Sequence, residues 1–564
     1  MTTRAKFIIL GGLVLAGIVA AFATSPLFAQ APPPATVAKY GVFETALACN
    51  EKLANPFTDA TMSAEFTSPT GMKVHVSGFC YAPGDWRVRF VPREEGKWTW
   101  SAMLAWAGGK NEAAGAFECK GVEGHGFLRL SKRNNFRMEY EDGTPFYPIG
   151  IQTCNFLNPD FDGPNAEGTW RSATPEEWAK AFDGAVNLVR TQLGQGTRDG
   201  CAFSIIPAGD KKTGVAPGPV DRYDTDLSAK LDAAFRVYRP RGMAQMLILF
   251  QDMSLWGDPA SVFGKGRDQV SYKSVTAPNM PDQERYLRYI VARFGCFTDA
   301  WELFNEDSFA PNDYLAHLAK VVRDADPYAH IITTNYARPK EPWCEIVTWH
   351  EYMGMPANDV DVYLASQIAV YKSYGKVVQN TEFGNQGKLS NYDPVKWRIA
   401  VWTAFMNESG MLFWGMSGRK TTATGVNKGG NANAYIGPES REAFRVLNEF
   451  NRDMPIDMKP VPSGWSEHDQ LRTWALSNGQ VTAVYVHHYA DHAKEFQLAY
   501  KLHVETGPGK FHARWIDPEN GKELKTEDVS TPSDYVQVTL PPVKIDAACR
   551  VDRVGDVPPN GPKP

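Results

Sequence analysis

Two glutamates near the centre of the chain end motifs whose residue types can carry out acid–base and nucleophilic chemistry. Residues 301–306 read WELFNE and residues 381–384 read TEFG. Each motif follows an apolar run of strand length, which predicts Glu306 and Glu382 at the C-terminal ends of two buried strands. In a parallel barrel, both ends lie at the same face. A carboxyl pair there can cleave a glycosidic bond, with one group as general acid and base and the other as nucleophile.

The residues beside these two glutamates can assist the same chemistry. Asn305 precedes Glu306, and its amide can hydrogen-bond a sugar 2-hydroxyl, an interaction that strengthens in the transition state. His350 and Tyr352 end the predicted strand that precedes the strand of Glu382. A phenol placed there can donate a hydrogen bond that keeps the Glu382 carboxylate ionised.

Two residues on other predicted strands complete the candidate site. Arg190 ends the second strand and can orient Glu382 through the attraction of opposite charges. Trp414 ends the eighth strand and can form the floor of a sugar subsite. With these two, the candidate substrate-binding set is Asn305, His350, Tyr352, Trp414 and Arg190.

The sequence predicts no metal site and no cofactor. His350 begins a run like the HExxH motif of zinc proteases, but Gly354 stands where the second histidine belongs. His487, His488 and His492 can bind a metal ion, yet the alternation of side chains along a strand sends the first two to opposite faces. Surface histidines are therefore the favoured interpretation of these three residues.

Predicted strands alternate with predicted amphipathic helices in the middle of the chain. The eight strands cover residues 146–152, 187–193, 245–251, 300–305, 330–336, 346–352, 376–381 and 410–415. The helices cover residues 175–186, 227–238, 283–294, 312–325, 360–374, 394–407 and 441–451. This alternation favours a (β/α)8 TIM barrel over an open doubly wound sheet, because residues 150–153 (GIQT) supply no glycine-rich phosphate turn.

The strand order of this barrel predicts how far apart the two carboxylates lie. The fourth strand leads to Glu306 and the seventh leads to Glu382. Strands three apart in a ring of eight face each other across the mouth, so the carboxylates are expected about 5 Å apart. That separation suits a covalent glycosyl-enzyme intermediate rather than direct attack by water.

Short predicted strands separated by turns flank the barrel on both sides. Residues 40–122 predict an immunoglobulin-like β-sandwich, and residues 455–552 predict a second β-sandwich. The remaining predicted segments are a signal peptide at 1–30, a linker at 31–39, the barrel at 123–454 and a disordered tail at 553–564.

Composition and the N-terminus limit the expected partners and compartment. The net charge is −5 over 564 residues and the basic residues are scattered, so no nucleic acid partner is expected. Arg4 and Lys6 precede an apolar run at 7–23 and alanine-rich cleavage sites, which predicts a secreted or periplasmic protein. The alternative is an uncleaved membrane anchor, and only then is a membrane a partner.

The eight cysteines are not predicted to form a disulfide framework. Export would permit disulfides, but no two cysteines have CxxC spacing. Most are predicted as small buried hydrophobic residues, and no pairing follows from their spacing.

The barrel motifs resemble those of the clan A glycoside hydrolases, in which Asn-Glu follows strand four and a glutamate follows strand seven. This resemblance implies that Glu306 is the acid/base, Glu382 the nucleophile and Asn305 the ligand of the 2-hydroxyl. It also matches Tyr352 to the aromatic residue after strand six and Trp414 to the tryptophan after strand eight.

The flanks resemble domains found beside bacterial apiosidase-like barrels. Residues 40–44 (YGVFE) and 96–100 (GKWTW) resemble the N-terminal domain of unknown function that precedes those barrels. Residues 514–518 (RWIDP) resemble a C-terminal β-sandwich that is named for collagen binding. The catalytic carboxylates vary within the apiosidase-like group, so its substrate is not carried over to this chain.

These patterns together predict a retaining glycoside hydrolase that cleaves a poly- or oligosaccharide by double displacement. One alternative is a non-catalytic carbohydrate-binding or scaffold protein with a decayed barrel. That alternative predicts the loss of a glutamate or of its supporting asparagine and tyrosine, and none of these is lost. A transglycosylase that uses the same residues is the other alternative, and the sequence leaves it open.

Overall fold

The structure, a computed structural model, describes residues 33–153, 174–193, 205–206, 218–251, 273–352, 354–384, 393–414, 436–462, 470–497 and 500–557. The predicted signal peptide at 1–30 lies outside these residues. Among the described residues, no helix combines the length and the apolar character that crossing a bilayer requires.

The N-terminal region consists of two mainly antiparallel sheets around an aromatic core. Its strands are β1 (Thr36–Lys39), β2 (Phe43–Ala48), β3 (Ala60–Thr67), β4 (Lys73–Ser77), β5 (Phe79–Ala82), β6 (Asp85–Phe90), β7 (Gly96–Trp106) and β8 (Gly109–Val122). The sheet orders are β1-β8-β7-β3-β4 and β2-β6-β5. Phe43 lies between the sheets, with ring centroids 4.7 Å from Phe117 and 5.5 Å from Phe66. Strand β1 lies within the predicted linker at 31–39 and pairs with β8.

The middle of the chain forms the predicted parallel barrel. Its strands, with a small antiparallel sheet before them, are β9 (Leu128–Leu130), β10 (Met138–Tyr140), β11 (Pro145–Phe146), β12 (Ile149–Thr153), β13 (Leu188–Gln192), β14 (Ala244–Gln251), β15 (Ala300–Asn305), β16 (Ile331–Thr333), β17 (Ile346–Glu351), β18 (Val377–Phe383) and β19 (Ser409–Phe413). Eight parallel strands follow the order β16-β15-β14-β13-β12-β19-β18-β17. Strands β9–β11 contribute Leu128, Met138 and Phe146 to a cluster with the first residues of the barrel strands, so they cover its N-terminal end.

Side chains bridge the one position where the barrel ladder is not continuous, between β16 and β17. The Thr333 hydroxyl donates to the carbonyl of Ile346 at 2.8 Å. The Thr348 hydroxyl donates to the carbonyl of Thr334 at 2.9 Å. These two side-chain hydrogen bonds connect β16 and the residue after it to β17, and the eight strands form a nearly closed ring.

Helices between the barrel strands form its outer layer. They are α1 (Pro175–Phe182), α2 (Thr225–Tyr238), α3 (Met280–Phe294), α4 (Asn312–Ala325), α5 (Val360–Lys372), α6 (Pro394–Met406) and α7 (Pro438–Asn451). Three of these helices begin with a side-chain cap, since Thr174 and Glu177 form a capping box at α1, and Asp224 and Asp393 cap α2 and α6.

The fold class predicted from the sequence, a TIM-like barrel between two β-rich flanks, is confirmed. All eight predicted barrel strands are present, and the strand at 300–305 has the predicted bounds. The predicted strand at 376–381 is too short, because β18 continues to Phe383. The register shifts between Trp349 and His350 on the neighbouring strand and between Asn380 and Phe383 on β18 itself. Glu382 therefore lies inside a bulged strand end rather than in a loop.

The C-terminal region is a second pair of sheets. Its strands are β20 (Lys459–Val461), β21 (Arg472–Ser477), β22 (Val481–His487), β23 (Lys501–Glu505), β24 (Gly509–Ile516), β25 (Glu523–Thr531), β26 (Tyr535–Thr539) and β27 (Asp546–Gly555). The larger sheet has the order β20-β21-β22-β27-β24-β25, and β23 pairs with β26. Trp515 is fully buried in the core between them.

This second sheet pair packs on the barrel through helix α6. Residues 396–406 of α6 are buried, because the barrel covers one side of the helix and the C-terminal sheet the other. The rings of Trp402 and Tyr485 stack with centroids 5.5 Å apart. Arg398 and Asp546 form a buried two-pronged ion pair with N···O distances of 2.9 to 3.2 Å, and the Tyr485 hydroxyl donates to the same carboxylate at 2.9 Å.

The interpretation of His487 and His488 as surface histidines is wrong, because both are buried. Strand β22 lies in the middle of its sheet, and one face of the sheet packs on the barrel helices, so alternation places both side chains away from water. His487 Nδ1 lies 2.5 Å from a carboxylate oxygen of Asp361 on α5. Its Nε2 lies 2.9 Å from Nε2 of His492. The contact with Asp361 ties the C-terminal sheet to the barrel.

The described cysteines are buried thiols that form no disulfide with one another. They are Cys49, Cys80, Cys119, Cys296, Cys344 and Cys549. Cys154 and Cys201 lie outside the described residues. For the six described cysteines, the prediction of small buried hydrophobic residues is confirmed.

The pair of Arg398 and Asp546 gives a stability prediction. Asp546→Ala leaves the guanidinium buried without its partner, so the free energy of unfolding should fall by about 3–5 kcal/mol. Urea denaturation followed by tryptophan fluorescence measures this fall. The matched control is Asp324→Ala, which removes an exposed ion pair with Lys320 and should leave stability almost unchanged. Equal effects of the two substitutions would contradict the importance of the buried pair.

Candidate active site

The structure brings all seven predicted site residues together at the C-terminal ends of the barrel strands. Strands β13, β15, β17, β18 and β19 present them at one face. The residues are Arg190, Asn305, Glu306, His350, Tyr352, Glu382 and Trp414. Each contacts at least one other member of the set through a hydrogen bond, an ion pair or a ring contact.

Arg190 is the centre of this group. Its buried guanidinium donates to Glu382 Oε1, to Asn305 Oδ1 and to Gln152 Oε1, each at 2.7 Å. It also donates to both carboxylate oxygens of Glu302, with 2.8 Å from Nε to Oε2. Burial opposes the charge, but the carboxylates of Glu302 and Glu382 raise the pKa of Arg190 above its ordinary value. The guanidinium thus stays charged and ties three other strands to β13.

Glu302 is a functional-site residue that the sequence analysis missed. It lies on β15, fully buried, and both of its oxygens accept hydrogen bonds from Arg190. Burial raises the pKa of Glu302, and the positive charge of Arg190 opposes that rise. The sequence contained a signal for it, because a charged residue inside an apolar strand must find a buried partner of opposite charge.

Glu382 lies in an enclosed environment of hydrogen-bond donors. Its side chain is 3% exposed. Arg190 donates to one carboxylate oxygen, and the Tyr352 hydroxyl donates to the other. Burial raises the pKa of Tyr352 well above its ordinary value, and the negative charge of Glu382 raises it further. The phenol therefore keeps its proton and stays a donor, and two donors hold this carboxylate in place.

Glu306 lies in a different environment, open toward the mouth of the barrel. Its side chain is 39% exposed, and one oxygen lies 2.8 Å from Nδ1 of His350. Burial raises the pKa of Glu306 above its ordinary value, and Arg190 opposes that rise. Burial also lowers the pKa of His350 to about 3, with Glu382 acting in the opposite direction. A neutral imidazole thus faces a carboxyl group that keeps its proton to a higher pH than usual.

The backbone at Glu306 is held in an uncommon conformation. Its φ is +52°, in the left-handed region that residues with a side chain rarely adopt. The Glu306 amide donates to the side chain of Asn335 at 3.3 Å, and the next amide, of Asp307, donates to the carbonyl of Asn335 at 2.7 Å. The loop after β16 therefore fixes the turn that aims Glu306 into the mouth.

The two glutamates approach each other across the mouth. An oxygen of Glu306, an oxygen of Glu382 and a nitrogen of His350 all lie within 4.8 Å of one another. Carboxyl groups about 5–5.5 Å apart leave no room for a water molecule between a sugar and the attacking carboxylate. The arrangement can therefore carry out attack by one carboxylate while the other transfers a proton.

The same three groups are also the described residues best placed to hold a metal ion. Two carboxylates and an imidazole are a plausible ligand set for a divalent cation. Their neighbours argue against that use, because both oxygens of Glu382 already accept hydrogen bonds from Arg190 and Tyr352. The buried positive charge of Arg190 would also repel a cation.

Two aromatic rings lie beside Glu382 in the part of the mouth that the structure describes. The ring of Tyr352 packs edge-on against Trp414, with centroids 5.8 Å apart. The Trp414 amide donates to the carbonyl of Phe383 at 2.9 Å, which fixes the end of β19 beside Glu382. A flat apolar surface next to two carboxyl groups is suited to a ligand with an apolar face and many hydroxyls.

Comparison with known proteins supports the fold assignment. Residues 36–105 match the family model of a domain of unknown function, DUF5060. A proposed glycoside hydrolase from Bacteroides vulgatus has a similar structure, with a TM-score of 0.66 and 19% identity over 92% of this chain and 100% of that chain. A family 5 glycoside hydrolase from the same organism gives a TM-score of 0.52 and 14% identity over 76% of this chain and 93% of that one. No curated protein matches the sequence. The chain thus has the fold of these glycoside hydrolases and a DUF5060 domain at its N-terminus.

The environment of Glu306 gives a direct titration prediction. Because burial raises its pKa, the carboxyl group should lose its proton at a pH above about 4.3, the usual midpoint for a glutamate. Infrared difference spectra of the wild type minus Glu306→Gln, recorded through the pH range, isolate the carbonyl band of this one group. A midpoint at or below the usual value would contradict the account of its surroundings.

Proposed function

We propose that the chain is a retaining glycoside hydrolase that cleaves a poly- or oligosaccharide by double displacement. The observation that carries the proposal is the approach of Glu306 and Glu382 to within 4.8 Å in two unlike environments. The shared fold with glycoside hydrolases supports it. The predicted signal peptide adds the proposal that the enzyme acts outside the cytoplasm, in the medium or the periplasm.

In the first step, Glu382 attacks the anomeric carbon while Glu306 gives its proton to the leaving oxygen. The bond to the leaving sugar breaks, and a covalent ester between the glycone and Glu382 forms. The raised pKa of Glu306 suits this role, because the group must still hold its proton when the substrate binds.

In the second step, Glu306 takes a proton from water, and the resulting hydroxide attacks the anomeric carbon. The ester to Glu382 breaks and the carboxylate returns to Arg190 and Tyr352. These two donors stabilise the negative charge that reappears on the leaving carboxylate. The hydrogen bond to His350 holds the Glu306 side chain in one position. Because the imidazole is neutral, it forms no ion pair with the Glu306 carboxylate.

Asn305 is the proposed ligand of the sugar 2-hydroxyl. Its Oδ1 accepts from Arg190 at 2.7 Å, which fixes the orientation of the amide, and an amide NH2 group can donate to a sugar oxygen. A bond to the 2-hydroxyl gains strength as positive charge develops at the neighbouring anomeric carbon. Trp414 is the proposed floor under the same sugar ring.

The alternative of a decayed, non-catalytic barrel has less support. Burying an arginine between two carboxylates costs desolvation free energy. A protein that only binds carbohydrate does not need such an arrangement. Here the guanidinium is satisfied by Glu302, Glu382 and Asn305 at the same time. That arrangement fixes Glu382 and Asn305 in position before a substrate binds, as catalysis requires.

Substitution of each glutamate tests the proposal. On a panel of plant and algal polysaccharides in EDTA-containing buffer, Glu382→Gln should give no detectable product, because no ester can form. Glu306→Gln should lose about 10²–10⁴-fold on the same polysaccharide yet keep more activity on aryl glycosides, whose leaving groups need no proton. Product release is followed by reducing-end assay and chromatography.

The matched control for both variants is Glu442→Gln, which changes an exposed glutamate on α7 whose partner is Arg445 of the same helix. It should retain the wild-type rate on every substrate. Wild-type rates for either Glu306→Gln or Glu382→Gln on the polysaccharide would show the proposed roles to be wrong.

A further inference from the structure

We propose that Phe309 and Tyr336 form an aromatic shelf that stacks on the sugar unit of the leaving group. The inference rests on the proposed function and narrows its substrate class. The preferred substrate would carry a sugar on the leaving side of the bond, as a polysaccharide or oligosaccharide does, rather than a small aglycone.

Both rings are unusually exposed for large aromatic side chains. Among the described residues, the most exposed phenylalanine, tyrosine and tryptophan side chains are Phe309, Tyr336, Tyr374 and Tyr535. Phe309 is 64% exposed and Tyr336 is 46% exposed. Two of the four thus lie on the loops beside Glu306, although that mouth is a small part of the surface. Exposed large aromatic surface concentrated next to a cleft commonly marks a binding site.

Their positions in the chain place both residues on loops that adjoin Glu306. Phe309 follows Glu306 by three residues on the loop after β15, and Tyr336 lies on the loop after β16. The ring of Tyr336 is 6.3 Å from the ring of His350, whose Nδ1 lies 2.8 Å from Glu306 and 3.4 Å from Glu382, so His350 lies between the two glutamates and is nearer to Glu306. The rings beside Glu382 are different ones, Tyr352 and Trp414, on the loops after β17 and β19.

The chemistry of the two carboxyl groups assigns these sides to the two halves of the substrate. The group that protonates the leaving oxygen must lie beside the leaving sugar, and the nucleophile must lie beneath the glycone. A shelf on the Glu306 side therefore meets the leaving sugar. The C–H face of a pyranose ring is apolar, and it can pack on the negative face of an aromatic ring.

Hydrogen bonds between the two loops hold the shelf in place before a ligand binds. The carboxylate of Asp307 accepts from the amides of Phe309 at 2.8 Å and Ala310 at 2.7 Å, and it forms a buried ion pair with Lys273. Arg338 spans the two loops, donating to the carbonyl of Asp307 at 3.1 Å and to the carbonyl of Tyr336 at 2.5 Å. Such cross-linking lowers the entropy lost on binding, because these loops are already ordered.

The test compares two substrates that share a glycone and differ on the leaving side. The first is the panel polysaccharide that the wild type cleaves fastest. The second is the glycosyl fluoride of the same glycone, which has no leaving sugar and needs no proton. Phe309→Ala and Tyr336→Ala should each lower kcat/KM on the polysaccharide about tenfold, mainly through KM, because each removes roughly one ring face of apolar contact. Neither should change kcat/KM on the fluoride.

Matched variants separate stacking from other effects. Tyr374→Ala removes an exposed tyrosine between α5 and β18, at the opposite end of the barrel, and should leave both substrates unaffected. Phe309→Tyr and Tyr336→Phe keep an aromatic face and should restore the activity on the polysaccharide. Since both shelf residues are exposed, the alanine variants should unfold at the wild-type temperature.

Equal losses on the polysaccharide and the fluoride, or no loss on either, would overturn the shelf while leaving the proposed function in place. Failure of the proposed function has a different signature, which is polysaccharide turnover by Glu382→Gln. The two failures can therefore be told apart in one set of assays.

Discussion

The arrangement of the site depends on the buried guanidinium of Arg190. A charge without water or a partner costs several kcal/mol, so each of its donors must meet an oxygen. Those oxygens come from Gln152 on β12, Glu302 and Asn305 on β15, and Glu382 on β18. One side chain thus connects four strands of the barrel at their C-terminal ends. The relative positions of these four strands and the geometry of the site therefore depend on the same side chain.

The site gives its two glutamates opposite surroundings, and the proposed roles follow from that contrast. Glu382 is enclosed by two donors, the guanidinium of Arg190 and the hydroxyl of Tyr352. Glu306 faces the neutral imidazole of His350 and the open mouth, and burial raises its pKa. Carboxyl groups held in unlike environments can serve as acid and as nucleophile at the same pH. In this account Glu302 gives Arg190 a second acidic partner, so the guanidinium keeps an ion pair when Glu382 is bound as an uncharged ester.

The barrel could be predicted from the sequence because its strands are apolar runs of strand length that end in polar residues. Glu302 could not be assigned by that pattern, since its partner Arg190 is over a hundred residues away and is brought near only by strand order. The bulge that carries β18 to Phe383 depends on pairing with β17, which no local pattern records. The exposure of Phe309 and Tyr336 could not be predicted from the sequence either, because burial depends on the neighbouring loops and not on residue type alone. Local signals therefore predicted the strands and their end residues, and tertiary contacts determined how those residues work together.

The most direct test of the central claim is the configuration of the first product, observed by proton NMR before mutarotation mixes the anomers. Oxygens of Glu306 and Glu382 lie within 4.8 Å of one another, a separation that suits the proposed double displacement because it leaves no space for water beneath the sugar. The account predicts that the newly released reducing end has the same anomeric configuration as the bond that was cleaved. Release of the opposite anomer would contradict it, because Glu382 would then act as a base toward water and not as the nucleophile.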